Sequence, residues 1–278
     1  ADLPSKWERL GDLALVPAGC LLHPGWAAAL PGGDLTPLWA AVARTIGVAR
    51  LARQQPVADT GTRDSRAQLL LGDDGWVEHR EGGVTFCLDV TTCMFSSGNV
   101  TERMRMGALR CAGETVVDLY TGIGYYTIPL LARAGAAKVY ACEWNPAAVD
   151  ALRRNLAANG IYSERCEVRE GDCTVVAPVG VADRVSLGLL PSSRGGWATA
   201  VAALRPSAGG TLHVHENVRA DAVAEWAAAA ACELQALARA LPDRGAWVAH
   251  VAHIERVKWY APHIRHIVVD VQLGPPRL

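Results

Sequence analysis

The chain has 278 residues, half of them hydrophobic, and a formal net charge of −1 at pH 7. This length exceeds one typical domain, so it predicts one large α/β domain plus a smaller one. The near-neutral charge argues against a protein that holds nucleic acid through overall positive charge, and the lack of a long apolar run or a signal peptide argues against a membrane or secreted protein.

The first 105 residues carry the short patterns of an accessory α/β domain. Thr36 and Pro37 open a helix that Gly47 ends, because Pro suits a first helical turn and Gly a left-handed C-cap. Two short strands around Gly72-Asp73-Asp74-Gly75 predict a hairpin with a four-residue turn. The predicted elements are a strand over 13–17, a helix over 35–48, the hairpin strands 68–71 and 76–79, and a strand over 84–90.

From residue 106 onward, strands and helices alternate, which is typical of a parallel sheet covered by helices. We expect strands over 115–120, 138–143, 166–170, 183–190 and 210–217, helices over 124–134, 146–158, 195–204 and 221–240, and a final pair of long strands over 248–260 and 264–272. Five parallel strands completed by a terminal pair give a seven-stranded mixed sheet. We therefore divide the chain into an accessory domain, 1–105, and a larger domain, 106–278.

The stretch from Glu114 to Gly124 is the most informative in the chain. A β-branched run ends in Asp118, and the small-residue turn Gly122-x-Gly124 leads straight into an apolar segment. This order predicts a strand, a tight Gly loop and a helix N-terminus at the edge of a nucleotide-binding sheet. Glu143 ends the next strand, where a carboxylate can accept hydrogen bonds from both hydroxyls of a ribose.

These features favour S-adenosylmethionine over a dinucleotide cofactor. A dinucleotide fingerprint requires a third Gly in G-x-G-x-x-G, and Thr127 stands there instead, which disfavours an NAD oxidoreductase. Asp118 would repel a pyrophosphate but suits the amino group of an amino-acid moiety. The sequence therefore predicts the Rossmann-like fold of class I S-adenosylmethionine-dependent methyltransferases. The alternative is a Gly turn that only allows tight packing.

Longer motifs over nearly the whole chain resemble one family. They are Met94–Arg105, Asp118–Pro129 and Ala141–Pro146, supported by Leu187–Ser193 and His213–Asn217. On these residues the chain resembles the tRNA guanine-37 methyltransferase and wybutosine-synthesis transferase family. The resemblance implies transfer of the 3-amino-3-carboxypropyl group of S-adenosylmethionine to 4-demethylwyosine at position 37 of tRNA-Phe, with methylthioadenosine as the other product. The anticodon loop of that tRNA would be the binding partner.

The resemblance also implies individual cofactor contacts. Ser96 and Arg103 would contact the cofactor from the segment before the sheet, and Glu143 would hold the ribose. Asp172 and Cys173 would lie at the adenine edge. The family usually has Lys at the position of Arg103, which keeps the charge with a different geometry. It often has Asn at the position of Cys173, where only a backbone contact would survive the change.

The acceptor base would meet a second group of residues. Pro191, Ser192 and Ser193 follow the fourth strand and would face the incoming base. Tyr125 would offer a stacking surface for an extruded base, and the alternative places it with Tyr126 in the core.

No pattern identifies the general base that would take the proton from the attacked ring carbon. The candidates are His213, His215 and Glu216, at a strand end near the expected pocket. A structural role is the alternative for the two histidines. No cysteines or acids at zinc spacing accompany them, so we predict no metal site.

Near the final pair of strands, basic and aromatic residues occur together. They are Arg256, Lys258, Trp259, Tyr260 and Arg265. This cluster is the best local candidate for phosphate contact, and a solvated strand edge is the alternative.

Two other functions fit the same cofactor residues. The sister activity, guanine-37 N1 methylation, would release S-adenosylhomocysteine. A catalytically silent, cofactor-binding tRNA module is the second, and the intact Asp118, Gly122, Gly124 and Glu143 argue against it. Eight cysteines without paired metal spacing fit reduced thiols, so we expect a cytoplasmic location. We also expect a monomer.

Overall fold

The structure is a computed structural model that describes residues 2–56 and 64–276. The chain forms two compact units, 1–97 and 98–278. No helix in the described part of the chain is both long and apolar enough to cross a bilayer.

The described residues of the first unit form two small sheets and two α-helices. Its elements are β1 (Glu8–Leu10), β2 (Leu13–Val16), α1 (Gly25–Ala29), α2 (Thr36–Ile46), β3 (Arg50–Arg53), β4 (Gln68–Leu71), β5 (Trp76–Glu81) and β6 (Val84–Asp89). Strands β1 to β4 form one sheet in that order, and β5 pairs with β6. The predicted helix is confirmed, with Pro37 in its first turn and Gly47 as its left-handed C-cap.

The predicted hairpin between residues 68–71 and 76–79 is wrong, although both strands exist. Strand β4 pairs with β3, and β5 pairs with β6 around the two-residue turn Gly82-Gly83. Both turn glycines have positive φ, at 59° and 79°. A two-residue hairpin turn of this type needs positive φ at both positions, so Gly-Gly outcompetes the longer turn at Gly72–Gly75.

The second unit is built on the predicted seven-stranded mixed sheet. Its elements are α3 (Val100–Ala108), β7 (Thr115–Asp118), α4 (Thr127–Ala132), β8 (Lys138–Glu143), α5 (Pro146–Ala158), β9 (Cys166–Glu170), α6 (Cys173–Val176), β10 (Arg184–Leu187), α7 (Trp197–Ala203), β11 (Gly210–Arg219), α8 (Val223–Arg239), β12 (Val248–Ala261) and β13 (Ile264–Gly274). The strand order is β12-β13-β11-β10-β7-β8-β9. The predicted Rossmann-like class I fold is confirmed.

The sheet directions determine where a ligand can bind. Strands β9, β8, β7, β10 and β11 run parallel, and β13 is antiparallel to both of its neighbours. The carboxyl ends of the five parallel strands therefore lie along one edge of the sheet, where open α/β sheets bind their ligands. On one face, apolar residues of β10, β11 and β13 pack with α7 and α8 around Trp197 and Leu234.

Candidate cofactor site

The Gly loop between β7 and α4 lies at the carboxyl edge of the sheet. Gly122 and Gly124 have φ values of 57° and 99°, which glycine adopts readily. A Cβ on Gly124 would lie 2.8 Å from Ile128 Cγ1 and 3.0 Å from Leu152 Cδ1, so the loop packs tightly on its own helix and on α5. The buried Asn155 side chain, on α5, donates a 2.7 Å hydrogen bond to the Ile123 carbonyl and so holds the loop against that helix.

Glu143 joins the end of β8 to this loop. Its carboxylate accepts hydrogen bonds from the backbone N–H groups of Gly122 at 2.7 Å, Trp144 at 3.0 Å and Asn145 at 2.8 Å. Burial raises the pKa of Glu143, and the three N–H donors partly oppose that rise. Two carboxylate oxygens offer about four lone-pair sites, so one acceptor site stays open for a ligand hydroxyl.

Asp118 is fully buried at the end of β7. Thr127 Oγ1 donates to its Oδ2 at 2.8 Å, while Oδ1 is buried without a hydrogen-bond partner of good geometry. Burial raises the pKa of Asp118 to about 6, and hydrogen bonding from the Thr127 and Ser186 hydroxyls opposes the rise. A buried carboxylate with one oxygen that lacks a partner of good geometry, beside a Gly loop, suits a cationic ligand group such as an amino group.

Arg103, on α3, contacts Tyr125, which follows the Gly loop. Its side chain is 2% exposed, and its guanidinium carbon lies 6.0 Å from the centre of the Tyr125 ring. A Cβ on Gly122 would lie 3.0 Å from that same ring. Arg103, Tyr125, Gly122 and Glu143 therefore form one continuous set of contacts. Ser96 belongs to the first unit, and its cofactor role stays a prediction.

Asp172 and Cys173 follow β9 at the same edge of the sheet. Asp172 caps the short helix α6, since its Oδ1 accepts from the Thr174 N–H at 2.8 Å. Cys173 is buried beside the Tyr120 hydroxyl, and burial raises the pKa of its thiol.

The predicted base-facing loop is anchored to the end of β11. Asn217 N–H donates to the Pro191 carbonyl at 2.9 Å, and Ser192 Oγ donates to Glu216 Oε2 at 2.8 Å. Ser193 Oγ donates to the His215 carbonyl at 2.9 Å. The three loop residues therefore lie at the carboxyl edge together with Glu216.

The two candidate histidines lie inside a buried polar network. Arg184 can only donate, so its 2.8 Å contact makes His213 Nε2 the acceptor, and His213 Nδ1 donates to Asp270 at 2.6 Å. His215 Nδ1 lies 3.1 Å from His266 Nε2. Burial lowers the pKa of both His213 and His215, so both are neutral near pH 7. Glu216 is partly exposed, and burial raises its pKa.

Known protein families account for this architecture. The family model described as "TRM5/TYW2 methyltransferase domain" matches residues 77–236, and the model "TYW2 N-terminal domain" matches residues 1–75. The chain belongs to the TRM5/TYW2 methyltransferase family. Within it, the human tRNA wybutosine-synthesizing protein 2 homolog is 41% identical over 324 residues, which cover 99% of this chain and 70% of that protein.

The Arabidopsis thaliana tRNA wybutosine-synthesizing protein 2/3/4 is 52% identical over 271 residues, or 98% of this chain. This chain covers 26% of that relative's length. Among solved structures of the TRM5/TYW2 family, P. horikoshii TYW2 in complex with MeSAdo is 26% identical with a TM-score of 0.76, over 99% of this chain and 93% of that one. M. jannaschii TYW2 in complex with AdoMet is 25% identical with a TM-score of 0.73, over 98% and 100%.

Sequence reasoning missed two residues that hold the elements of the candidate site together. Asn155 holds the Gly loop from 32 positions away, and Arg105 ties α3 to Asp270 across 165 positions. Such contacts leave no local pattern. Within the described residues, no group of three or more His, Cys, Asp or Glu side chains is arranged to hold a metal ion.

Proposed function

We propose that the chain binds S-adenosylmethionine and transfers its 3-amino-3-carboxypropyl group to 4-demethylwyosine at position 37 of tRNA-Phe. Methylthioadenosine would be released. The continuous set Arg103–Tyr125–Gly122–Glu143, with the buried Asp118 carboxylate beside it, is the observation that carries the proposal. It provides an acceptor for a ribose hydroxyl, an anion for an amino group and a cation for a carboxylate, and all three groups occur in this cofactor.

Solved structures of family members support the same cofactor. The two TYW2 structures similar to this chain are described in complex with MeSAdo and with AdoMet. The likeness runs through nearly the whole chain, including the residues 1–75 that match the TYW2 N-terminal model. The match to the TYW2 N-terminal model and the 41% and 52% identity to tRNA wybutosine-synthesizing relatives support the aminocarboxypropyl branch over the sister methylation.

The bound cofactor would supply a carbon made electrophilic by the adjacent sulfonium. In the reaction the acceptor ring carbon bonds to Cγ of the methionyl chain, the Cγ–S bond breaks with its electron pair going to sulfur, and the ring carbon loses a proton. The sulfonium is already a good leaving group, so the protein's main contribution is position and orientation.

Different residues would bind the different parts of the cofactor and the acceptor base. Glu143 orients the ribose, Asp172 and Cys173 border the adenine, and Arg103 with Ser96 holds the methionyl end. Pro191, Ser192 and Ser193 would face the base, and Tyr125 would stack on it. Among the base candidates we favour Glu216, because it is partly exposed at the carboxyl edge with a raised pKa, while His213 and His215 hold the framework.

Location and domain roles are part of the same proposal. All eight cysteines are free thiols, which fits a reducing cytoplasm. We also propose that residues 1–105 are an accessory domain, that residues 106–278 bind the cofactor, and that the chain acts as a monomer.

The test is product identification by mass spectrometry. The chain and a Glu143→Ala variant would be incubated with S-adenosylmethionine and tRNA-Phe carrying 4-demethylwyosine. We expect the wild type to add one aminocarboxypropyl group to the tricyclic base and release methylthioadenosine, and the variant to release much less. S-adenosylhomocysteine with a methylated guanosine-37 tRNA would move the chain to the sister activity. Cofactor binding without any product would support the silent module.

A further inference from the structure

The terminal hairpin β12–β13 carries an exposed cation–aromatic stack. The Arg265 guanidinium carbon lies 3.7 Å from the centre of the Trp259 ring. Trp259 is nevertheless 56% exposed, so the ring face that Arg265 does not cover is open to solvent. Indole stacking of this kind holds an arginine in place while leaving its N–H edges able to donate.

Strand register shows which neighbours share this face. Trp259 pairs with Arg265 and Arg256 pairs with Ile267, and residues two apart on β13 point the same way. Arg256, Trp259 and Arg265 therefore lie on one face, which we call the hairpin surface. Lys258 pairs with the buried His266 on the opposite face, so it does not belong to this surface.

The hairpin surface lies at the carboxyl edge of the sheet. Strand β11 ends at Arg219, opposite Ile264, and Val218 pairs with Arg265. Ser192 bridges to Glu216 on the other side of β11. Trp259 is thus about three strand spacings, roughly 14 Å, from the base-facing loop. That separation suits a nucleotide near the target base, not the target itself.

The charges around the hairpin surface indicate which class of molecule it binds. Within the part of the chain that the structure describes, no carboxylate lies within ion-pair distance of Arg256 or Arg265, and the nearby Glu255 pairs with His253 at 3.1 Å. Two unneutralised guanidinium groups beside an open indole face, on a chain of net charge −1, fit a partner with both phosphates and planar bases.

We propose that the hairpin surface binds an unpaired nucleotide of the substrate RNA, with its base stacked on Trp259 and its phosphates paired with Arg256 and Arg265. The inference rests on the proposed function, since it places the tRNA at the same edge as the cofactor. It assigns part of the RNA-binding energy to residues that touch neither the cofactor nor the target base.

The test measures binding of fluorescent tRNA-Phe carrying 4-demethylwyosine to the full chain by anisotropy at several salt concentrations. Trp259→Ala should weaken binding roughly 5- to 160-fold, the range for loss of one stacked base. Trp259→Tyr should restore most of the affinity because it keeps a stacking ring. The double change R256Q/R265Q should flatten the slope of log K against log salt by about 1.4 to 1.8, which corresponds to two phosphate contacts.

Tyr162→Ala is the matched control, because Tyr162 is 73% exposed near the opposite edge strand of the same sheet. Its tRNA affinity should equal the wild type's, and all variants should bind S-adenosylmethionine normally. Equal tRNA affinities for Trp259→Ala and Tyr162→Ala, with both variants folded by circular dichroism, would overturn the proposal. Binding requires no turnover, so failure of the hairpin proposal and absence of methylthioadenosine from the wild type are separate results.

Discussion

The buried carboxylate of Asp118 lowers the stability of the fold near neutral pH, yet we propose that the same charge binds the amino group of the cofactor. Its carboxylate is fully buried, one oxygen has no partner of good geometry, and burial raises its pKa to about 6. Because the folded-state pKa lies above the usual value of 3.8, the folded protein holds this proton more tightly than the unfolded chain does. Stability from this group is therefore present below pH 3.8 and is lost as the pH rises toward 6.

Asp118→Asn should remove that loss. A shift of two pKa units corresponds to about 3 kcal/mol at most. The free energy of unfolding of the variant, relative to wild type, should therefore rise by about 2 kcal/mol from pH 4 to pH 8. Urea unfolding at both pH values measures this difference. Cofactor affinity should fall at the same time, because the neutral amide loses the charge attraction to an ammonium group.

Asp150→Asn is the control for this comparison, since the Asp150 side chain is 55% exposed in an ion pair with Arg154. Its stability difference from wild type should change by less than about 0.5 kcal/mol between the two pH values. A pH-independent difference for Asp118→Asn would show that the buried carboxylate is not the source of the loss.

At the scale of single residues, the sequence predicted the residues at the ends of strands and in the loop that follows β7. Asp118, Gly122 and Glu143 were visible because each lies at a strand end in a local motif. The side chains that hydrogen-bond to these residues, or hold the loop between them, were not predictable from the sequence. In the sequence motif Thr127 marks only the missing third Gly, whereas in the fold its hydroxyl donates to Asp118. Asn155 looked like an ordinary helix residue, because its acceptor at Ile123 is near only after folding.

At the scale of elements, helix α3 is held to the sheet by charge. Arg105 makes paired hydrogen bonds to Glu102, at 2.7 and 2.8 Å, and to Asp270, at 2.7 and 3.0 Å. Asp270 in turn accepts from His213. Glu102 is fully buried, and burial raises its pKa to about 7 despite the arginine. The same helix carries Arg103, so this network orients the proposed cofactor contact.

Arg105→Leu should therefore damage both the fold and the site. It leaves Glu102 and Asp270 buried without their shared cation, and we expect a loss of about 3–5 kcal/mol in free energy of unfolding. Thermal or urea unfolding measures the loss, and calorimetry should show weaker cofactor binding wherever the variant stays folded.

The matched substitution is Arg153→Leu, on the exposed face of α5. The Arg153 side chain is 60% exposed and lies 3.4 Å from Glu170, so its removal should change stability by less than about 1 kcal/mol. Similar losses for the two variants would mean that the α3 network contributes no more than a surface ion pair.

The elements differ in how well the sequence predicted them. The parallel strands were predictable because short strand-like segments alternate regularly with helical segments along the chain. Helix α3 was not predicted, because its buried positions include Glu102 and Arg103, so the usual apolar periodicity is absent. In the first unit, the four-residue pattern Gly72–Gly75 predicts a hairpin turn, but the Gly82-Gly83 pair forms the hairpin because both residues adopt positive φ.

For the whole molecule, strand order explains why distant motifs form one site. Five parallel strands bring Asp118, Glu143, Asp172 and the loop at Pro191 to the same edge of one sheet. The alternation of strands and helices was enough to predict this. It could not predict which carbon next to the sulfonium is attacked, because both transfer reactions use the same fold and the same cofactor contacts.

The most direct measurement uses two labelled cofactors with tRNA-Phe carrying 4-demethylwyosine. One S-adenosylmethionine sample is labelled in the methyl carbon and the other in the carboxyl carbon. We predict that only the carboxyl label becomes attached to the tRNA, while the methyl label leaves in methylthioadenosine. Methyl label on the tRNA, with carboxyl label left in S-adenosylhomocysteine, would contradict the assignment of this chain as an aminocarboxypropyl transferase.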